Sequence, residues 1–392
     1  MVCKNNSLKR SLGVGLFLLV FPVWMAASPV ASPTWGFQLD PPEGYELVGG
    51  DGKDRFSFRF EEEDAQLDVV VYAGSLKADG FRSKNPYPSV TALAEDVQRR
   101  LKSEGAIKPF TYRGKAAVLM ELRFSGYQGW ALGVELEAPG GTEERPLLMA
   151  LAYGRQDQED LHFSALDSLA SSPQEWRTPG PITEYHYPRG VARPFPLAGL
   201  ATEALFNEHD APAAQAVVDR EFRVLRAYED SPEWREAWIR FYRAIYRDAF
   251  ERLAHAAFML ERVWNIPELA DRDLAEKALQ WVQSFTYERN LLGSDFVNLV
   301  SAAVEGRGDC DSRALLWAII LEQANIPAAI MVSPRYSHAM GLADLPGAGA
   351  RFTLAGVSWL VAETTSAVPL GRIAAPMSET RYWLGVSLDH LP

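Results

Sequence analysis

The chain has 392 residues, of which 47% are hydrophobic and 11% aromatic. It is therefore long and apolar enough to bury more than one core, which excludes intrinsic disorder. Its formal net charge is −12 at pH 7, and no basic run offsets that charge. An acidic surface of this kind repels phosphate groups, so nucleic acid and anionic membrane surfaces are excluded as partners.

The first residues have the three parts of a secretory signal peptide. Lys4, Lys9 and Arg10 precede an uncharged stretch over residues 11–27, and small side chains follow. We expect residues 1–32 to be a signal peptide, and the protein to be exported to the periplasm or beyond the cell, where it can associate with the cell envelope. The alternative is an uncleaved anchor, for which the apolar stretch is short of the ~20 residues that a membrane span needs.

Residues 33–171 alternate apolar and polar side chains like strands, with two helical interruptions. The predicted strands are residues 36–39, 54–60, 67–72, 110–112, 116–124, 129–137 and 146–153. The predicted helices are residues 90–104 and 157–169. Since a sheet and a helix each have one face to bury, this predicts an α+β domain in which helices pack on an antiparallel sheet. The order of elements resembles the PsbP-like sandwich of exported bacterial proteins.

Residues 172–211 are rich in proline and glycine, which interrupt regular elements. They predict an inter-domain linker, followed by a second unit over residues 212–392. Helices are predicted there over residues 212–228, 232–264 and 267–287. Aromatic side chains recur along the second helix, from Trp238 to Phe258. Such a stripe is typical of core packing, with the lining of a substrate groove as the alternative.

A glycine-rich turn over residues 306–309 opens the next predicted helix and places Cys310 in its first turn. Free backbone N–H groups and the helix dipole favour a thiolate at that position. The flanking Asp309 and Asp311 would raise the pKa of the thiol, and we interpret them as structural: they cap exposed N–H groups or pair with Arg307 or Arg313. Cys3 lies in the predicted signal peptide, so Cys310 is left without a disulfide partner. A lone thiol in an exported chain indicates a reactive role, with a buried inert cysteine as the alternative.

Four strands are predicted after this helix, over residues 328–332, 338–343, 352–355 and 358–362. The turns between them predict an antiparallel meander in which His338 and Glu363 lie on neighbouring strands. An imidazole can take the thiol proton and pass it to a leaving amine, while a carboxylate fixes the tautomer of the imidazole. Cys310, His338 and Glu363 therefore form a candidate catalytic triad.

These motifs resemble the transglutaminase-like superfamily, and in particular the bacterial transglutaminase-like cysteine proteinases. The resemblance covers residues 275–373 and is carried by Val282-Gln283-Ser284-Phe285-Thr286-Tyr287, Gly308-Asp309-Cys310-Asp311, His338-Ala339 and Glu363-Thr364-Thr365. It implies a papain/transglutaminase-like domain in which the nucleophile helix packs against an antiparallel sheet. In much of the superfamily the third member is Asp, whereas this chain has Glu363.

The resemblance further implies that Gln283 donates to the oxyanion together with the Cys310 backbone N–H. A buried amide that ties its helix to a loop is the alternative for Gln283.

We therefore expect an exported cysteine-dependent amide hydrolase or acyltransferase that acts on a peptide or protein amide through a thioester. The residues leave open whether water or an amine accepts the acyl group, and they leave the oligomeric state open. We expect no cofactor and no metal, because the sequence has no metal-ligand cluster, nucleotide-binding glycine loop or serine-centred elbow. The alternative from another class is a catalytically inactive transglutaminase-like module that binds or scaffolds in the cell envelope.

Overall fold

The computed structural model describes residues 29–74, 84–137, 145–264, 270–289 and 294–388. The protein is α+β, with 35% of the described residues helical and 29% in strands. Its two large sheets are antiparallel. Most of the predicted signal peptide lies outside the described residues. Within the described ranges, no helix combines the length and the apolar character that crossing a membrane requires.

The first large sheet has seven strands in the order β3-β4-β5-β9-β8-β7-β6. A short pair, β1 (Val30–Ala31) and β2 (Gln38–Leu39), precedes it. The strands of the seven-stranded sheet are β3 (Glu46–Gly50), β4 (Arg55–Phe60), β5 (Ala65–Tyr72), β6 (Ile107–Tyr112), β7 (Lys115–Phe124), β8 (Tyr127–Glu135) and β9 (Leu147–Gly154). All of the predicted strands of this unit overlap observed ones, while β3 was missed because its side chains are exposed.

Two helices cover the faces of this sheet. Ser89 caps the N-terminus of helix α1 (Val90–Leu101), because its side chain accepts a hydrogen bond from the Ala92 N–H. The apolar side of this helix packs on one face of the sheet. Helix α2 (Glu159–Asp167) packs on the opposite face. The prediction of helices packed on an antiparallel sheet is confirmed, since both faces of the sheet are apolar and each needs cover.

The segment over residues 172–211 is not irregular, so the expectation that its prolines and glycines interrupt regular elements is wrong. It contains a 3-10 turn (Pro173–Glu175), helix α3 (Pro181–His186) and a hairpin of β10 (Ala192–Pro196) with β11 (Glu203–Asn207). Pro173 and Pro181 stand in the first turns of helices, and Pro194 and Pro196 stand in a two-stranded hairpin, where a missing N–H is tolerated. The proline content of the segment therefore predicted less regular secondary structure than the segment has.

Arginine side chains tie the next two helices to each other and to Asp40, which precedes the first large sheet. These helices are α4 (Asp210–Arg226) and α5 (Trp234–Arg252). Arg240 donates to Glu221 at 2.8 Å and to the Asp40 carbonyl at 2.9 Å, and Arg243 binds the Asp40 carboxylate at 2.6 Å. Apolar residues of α4 and α5 belong to the same core as the first sheet. The predicted boundary at residue 171 thus does not separate two independent cores.

Two more helices follow α5, and both lie within segments that were predicted to be helical. The helix predicted over residues 232–264 divides at Leu253 into α5 and α6 (Ala254–Trp264). Helix α7 (Asp271–Gln283) follows, and then β12 (Thr286–Tyr287), α8 (Leu299–Glu305), β13 (Arg307–Gly308) and α9 (Cys310–Gln323).

The second large sheet has five strands in the order β16-β17-β15-β14-β18. They are β14 (Ala328–Ser333), β15 (His338–Ala343), β16 (Arg351–Leu354), β17 (Val357–Ala362) and β18 (Leu384–Ser387). The four predicted strands are confirmed, whereas β18 was missed. The predicted meander is wrong, because β15 pairs with β17 and leaves β16 at the edge of the sheet. Helix α9 is buried along its length and packs on β14 and β15. Gly341 permits this close approach, because a Cβ at that position would meet the Trp317 ring at 2.4 Å.

Candidate active site

Cys310 is the first residue of α9, as the glycine-rich turn predicted. Asp309 caps this helix: its Oδ1 accepts hydrogen bonds from the Ser312 backbone N–H at 2.8 Å and from the Ser312 hydroxyl at 2.6 Å. Gly306 ends α8 in the left-handed conformation, with a φ of 66°, which turns the chain toward α9. The backbone N–H of Cys310 therefore lies in the first turn of α9, where N–H groups have no partner within the helix.

His338 and Glu363 are hydrogen-bonded to each other. His338 begins β15 and Glu363 follows β17, and these strands pair directly. The distance from His338 Nε2 to Glu363 Oε2 is 2.9 Å. Glu363 Oε1 accepts from the Thr365 backbone N–H at 2.8 Å and from the Thr365 hydroxyl at 2.5 Å. Burial raises the pKa of Glu363, but the hydrogen bonds from His338 and Thr365 outweigh burial, so this pKa lies below its usual value.

Cys310 and His338 line the same cleft, which has a volume of about 280 Å³. The backbone N–H of Ala339, the residue after His338, donates to the Cys310 sulfur. Because Nε2 of His338 is held by Glu363, Nδ1 is the ring nitrogen left for the thiol. The structure thus brings together all three residues that the sequence indicated.

The thiol itself is in a setting that disfavours its charge. Cys310 is 4% exposed, and its Sγ donates to Asp311 Oδ2 at 3.3 Å. Burial raises the pKa of the thiol, and the Asp311 and Asp309 carboxylates raise it further, while the Ala339 N–H lowers it. Burial and the neighbouring Asp311 also raise the pKa of Asp309, to about 8. The resting group is therefore a thiol rather than the thiolate that the helix N-terminus alone predicted.

Gln283 lies at the C-terminal end of α7 and supports the site from behind. Its Nε2 donates to the carbonyls of Glu363 and Val368, each at 2.8 Å. Both N–H groups of the amide are thereby engaged, which leaves none for an oxyanion. Of the two roles considered for Gln283, the structure favours the amide that ties its helix to the segment bearing Glu363.

Arg313 and Tyr287 flank Cys310 and were not assigned from the sequence. Arg313 is 1% exposed, and its guanidinium donates to the Gly308 carbonyl at 3.1 Å and to the Phe285 carbonyl at 2.7 Å. It also lies 5.4 Å from the centre of the Tyr287 ring. The Tyr287 phenol lies against the Cys310 sulfur, and burial together with this neighbour raises the pKa of Tyr287 to about 12. Tyr287 ends the motif that begins at residue 282, which was the available signal.

Two more aromatic side chains contact the site from distant parts of the chain. The Tyr242 hydroxyl donates to the Asp311 carboxylate. The Trp383 ring packs near the His338 ring, with their centres 6.3 Å apart. Tyr242 belongs to the aromatic stripe for which the lining of a substrate groove was the alternative interpretation, and it does line this cleft. Trp383 had no sequence signal, because it approaches the site only through tertiary packing.

No protein-family model matches the chain, and no curated protein matches its sequence. Within the ranges that the structure describes, no group of three or more His, Cys, Asp or Glu side chains is arranged to hold a metal ion. The site consists of a thiol, an imidazole held by a carboxylate, and nearby hydrogen-bond donors. Such a set can form and resolve a thioester.

Proposed function

We propose that the protein is a cysteine-dependent amide hydrolase or acyltransferase that acts through Cys310, His338 and Glu363. The observation that carries this proposal is the 2.9 Å bond between His338 Nε2 and Glu363 Oε2, in a cleft that Cys310 and His338 both line. An imidazole oriented in this way has its other nitrogen free to exchange a proton with the nucleophile.

The reaction would proceed in two halves. Sγ bonds to the amide carbonyl carbon while Nδ1 of His338 takes the thiol proton. The C–N bond then breaks, the same proton passes to the leaving amine, and an acyl group remains on Cys310 as a thioester. Water or a second amine attacks the thioester and restores the thiol. Because the resting thiol is protonated, His338 acts as a general base during attack.

We infer a papain/transglutaminase-like arrangement for the second sheet and its helices. Its support is the packing of α9, which carries the nucleophile, on the strand that carries His338. For the first sheet we infer a PsbP-like sandwich, supported by its antiparallel order with helices on both faces. Export through residues 1–32, association with the cell envelope and a peptide or protein amide substrate belong to the same proposal.

A second candidate is an inactive module that uses the same cleft for binding. The raised pKa of Cys310 and its hydrogen bond to Asp311 favour this candidate, because both hold the sulfur in its less nucleophilic form.

Acyl-enzyme trapping separates the two candidates. The protein is mixed with p-nitrophenyl acetate at pH 7.5, and the acetyl group is located by peptide mapping before and after hydroxylamine, which removes thioesters but spares amides. The enzyme proposal expects a hydroxylamine-sensitive acetyl group on Cys310, formed at least ~100-fold more slowly in His338→Ala. Absence of acetylation at Cys310, or an equal rate in His338→Ala, would favour the inactive module.

A further inference from the structure

The cleft beside Cys310 has two unlike sides. Ser333, Pro334 and Ser337 line one of them, at the turn between β14 and β15. Apolar side chains of α4 and α5 line the other. A volume of about 280 Å³ lies just below the usual range of ligand pockets. The cleft therefore suits one side chain with its flanking main chain rather than a larger ligand.

Phe222, Leu225 and Trp238 form the apolar side, which we call the aromatic wall. Phe222 and Leu225 are about one helical turn apart on α4, and Trp238 is on α5, which packs against α4. All three are only half-buried, although they pack on the main core. Apolar surface left open at a cleft is favourable to cover with an apolar group, because that group also leaves water.

The aromatic wall leads directly to the nucleophile. The Tyr242 ring is 6.3 Å from the Trp238 ring, and the Tyr242 hydroxyl donates to Asp311, which also accepts a hydrogen bond from the Cys310 thiol. A step of four residues along a helix rises about 6 Å, close to the span of two residues of an extended chain. A substrate side chain beside the scissile carbonyl can therefore reach Trp238 while the carbonyl lies at the sulfur.

The charges of the cleft disfavour acidic substrates. Among the described residues that line it, Arg289 is the one arginine or lysine, and Asp295 already binds that arginine at 2.6 and 3.0 Å. Asp309 and Asp311 line the same cleft. A carboxylate entering this space would lose water without gaining a free cation among those residues.

We propose that the aromatic wall receives an aromatic or large aliphatic side chain of the acyl donor, next to the carbonyl that Cys310 attacks, and rejects acidic side chains there. The inference rests on the proposed function, because it assigns the substrate class of the same site. The acyl side is the relevant one, since Cys310 itself lines the cleft and an acyl group on its sulfur lies within it.

The test uses acetyl-alanyl-X fluoromethyl ketones in which X is Phe, Leu, Gly or Glu. The thiol displaces fluoride and forms a thioether, and intact-protein mass spectrometry gives the second-order rate. In the wild type the Phe and Leu probes should react at least ~10-fold faster than the Gly probe, and the Glu probe more slowly than the Gly probe. Trp238→Ala and the milder Trp238→Leu should each lower the Phe/Gly rate ratio by about fivefold or more. Trp234→Ala is the matched control, because its ring lies 6.0 Å from that of Trp238 outside the cleft lining, and it should leave this ratio unchanged.

Equal rates for the Phe, Gly and Glu probes in the wild type would overturn the inference. An unchanged Phe/Gly ratio in a folded Trp238 variant would also overturn it. Failure of the proposed function has a different signature: His338→Ala would then react with the Gly probe as fast as the wild type does, whatever the order of the four probes. If Trp238→Ala does not fold, the order of the four probe rates in the wild type and the Phe/Gly rate ratio in Trp238→Leu still test the inference.

Discussion

Replacing Glu363 with Gln should disable His338 without disturbing the fold. Oε1 of Glu363 accepts from the Thr365 backbone N–H, a group that can only donate. In Glu363→Gln this N–H therefore keeps the amide oxygen on the Thr365 side and turns the NH₂ group toward His338 Nε2. The imidazole must then accept at Nε2 and carry its proton at Nδ1, so Nδ1 can no longer act as a base.

The expected loss in acylation rate is about 10²–10⁴, the range expected when a triad carboxylate becomes an amide. This corresponds to about 2.7–5.4 kcal/mol of transition-state stabilisation. The acylation rate of Glu363→Asp should lie between those of the wild type and Glu363→Gln, since the Asp side chain keeps the charge but is shorter by one methylene group. The Thr365 bonds to the amide oxygen remain, so little stability should be lost.

The rates are measured as p-nitroaniline release from a peptide p-nitroanilide across pH 5–9, because that leaving amine needs the proton from His338. Circular dichroism checks that each variant is folded. A Glu363→Gln protein within about threefold of the wild type would refute the reasoning, and the third role would pass to another group.

Four further predictions follow from the same site and its support. Cys310→Ser should leave folding intact but abolish acyl-enzyme formation, because the sulfur is the nucleophile and Ser is nearly isosteric. Asp311→Asn should lower the pKa of the thiol by about one unit, so alkylation by iodoacetamide at pH 7 should rise about tenfold and its pH midpoint should move down. Tyr287→Phe should slow acylation about tenfold or more, because it removes the hydroxyl that faces the sulfur. Arg240→Met should cost about 3 kcal/mol of unfolding free energy in urea, because it leaves the buried Glu221 carboxylate short of a partner.

Each of these has an outcome that would contradict it. A Cys310→Ser protein that still forms a hydroxylamine-sensitive acyl group would remove the nucleophile assignment. An unchanged alkylation midpoint in Asp311→Asn would mean that burial alone sets the pKa of the thiol. An acylation rate in Tyr287→Phe equal to that of the wild type would mean that the Tyr287 hydroxyl contributes only packing. The control for Arg240→Met is Arg226→Met, whose ion pair is exposed and should contribute less than about 0.5 kcal/mol.

The site residues could be found from the sequence because their signals are local. A glycine-rich turn before an apolar run predicts a helix that begins at Cys310, and the structure has that helix start. Alternating apolar residues predict the strands around His338 and Glu363, and those strands pair as neighbours. Periodicity and turn chemistry are properties of short segments, so they can be read without knowing what packs on them.

Tertiary packing alone decided the chemical state of the thiol and the partners of the support residues. The pKa of Cys310 is raised because the folded chain buries the sulfur beside two carboxylates. The side-chain amide of Gln283 donates hydrogen bonds to the Glu363 and Val368 carbonyls, which lie far along the chain. Likewise, Arg247 of α5 donates to the Trp176 carbonyl at 2.9 Å, so part of the segment over residues 172–211 is held by a helix that lies far along the chain. Burial and long-range charge depend on what the whole chain places around a group, so no local pattern contains them.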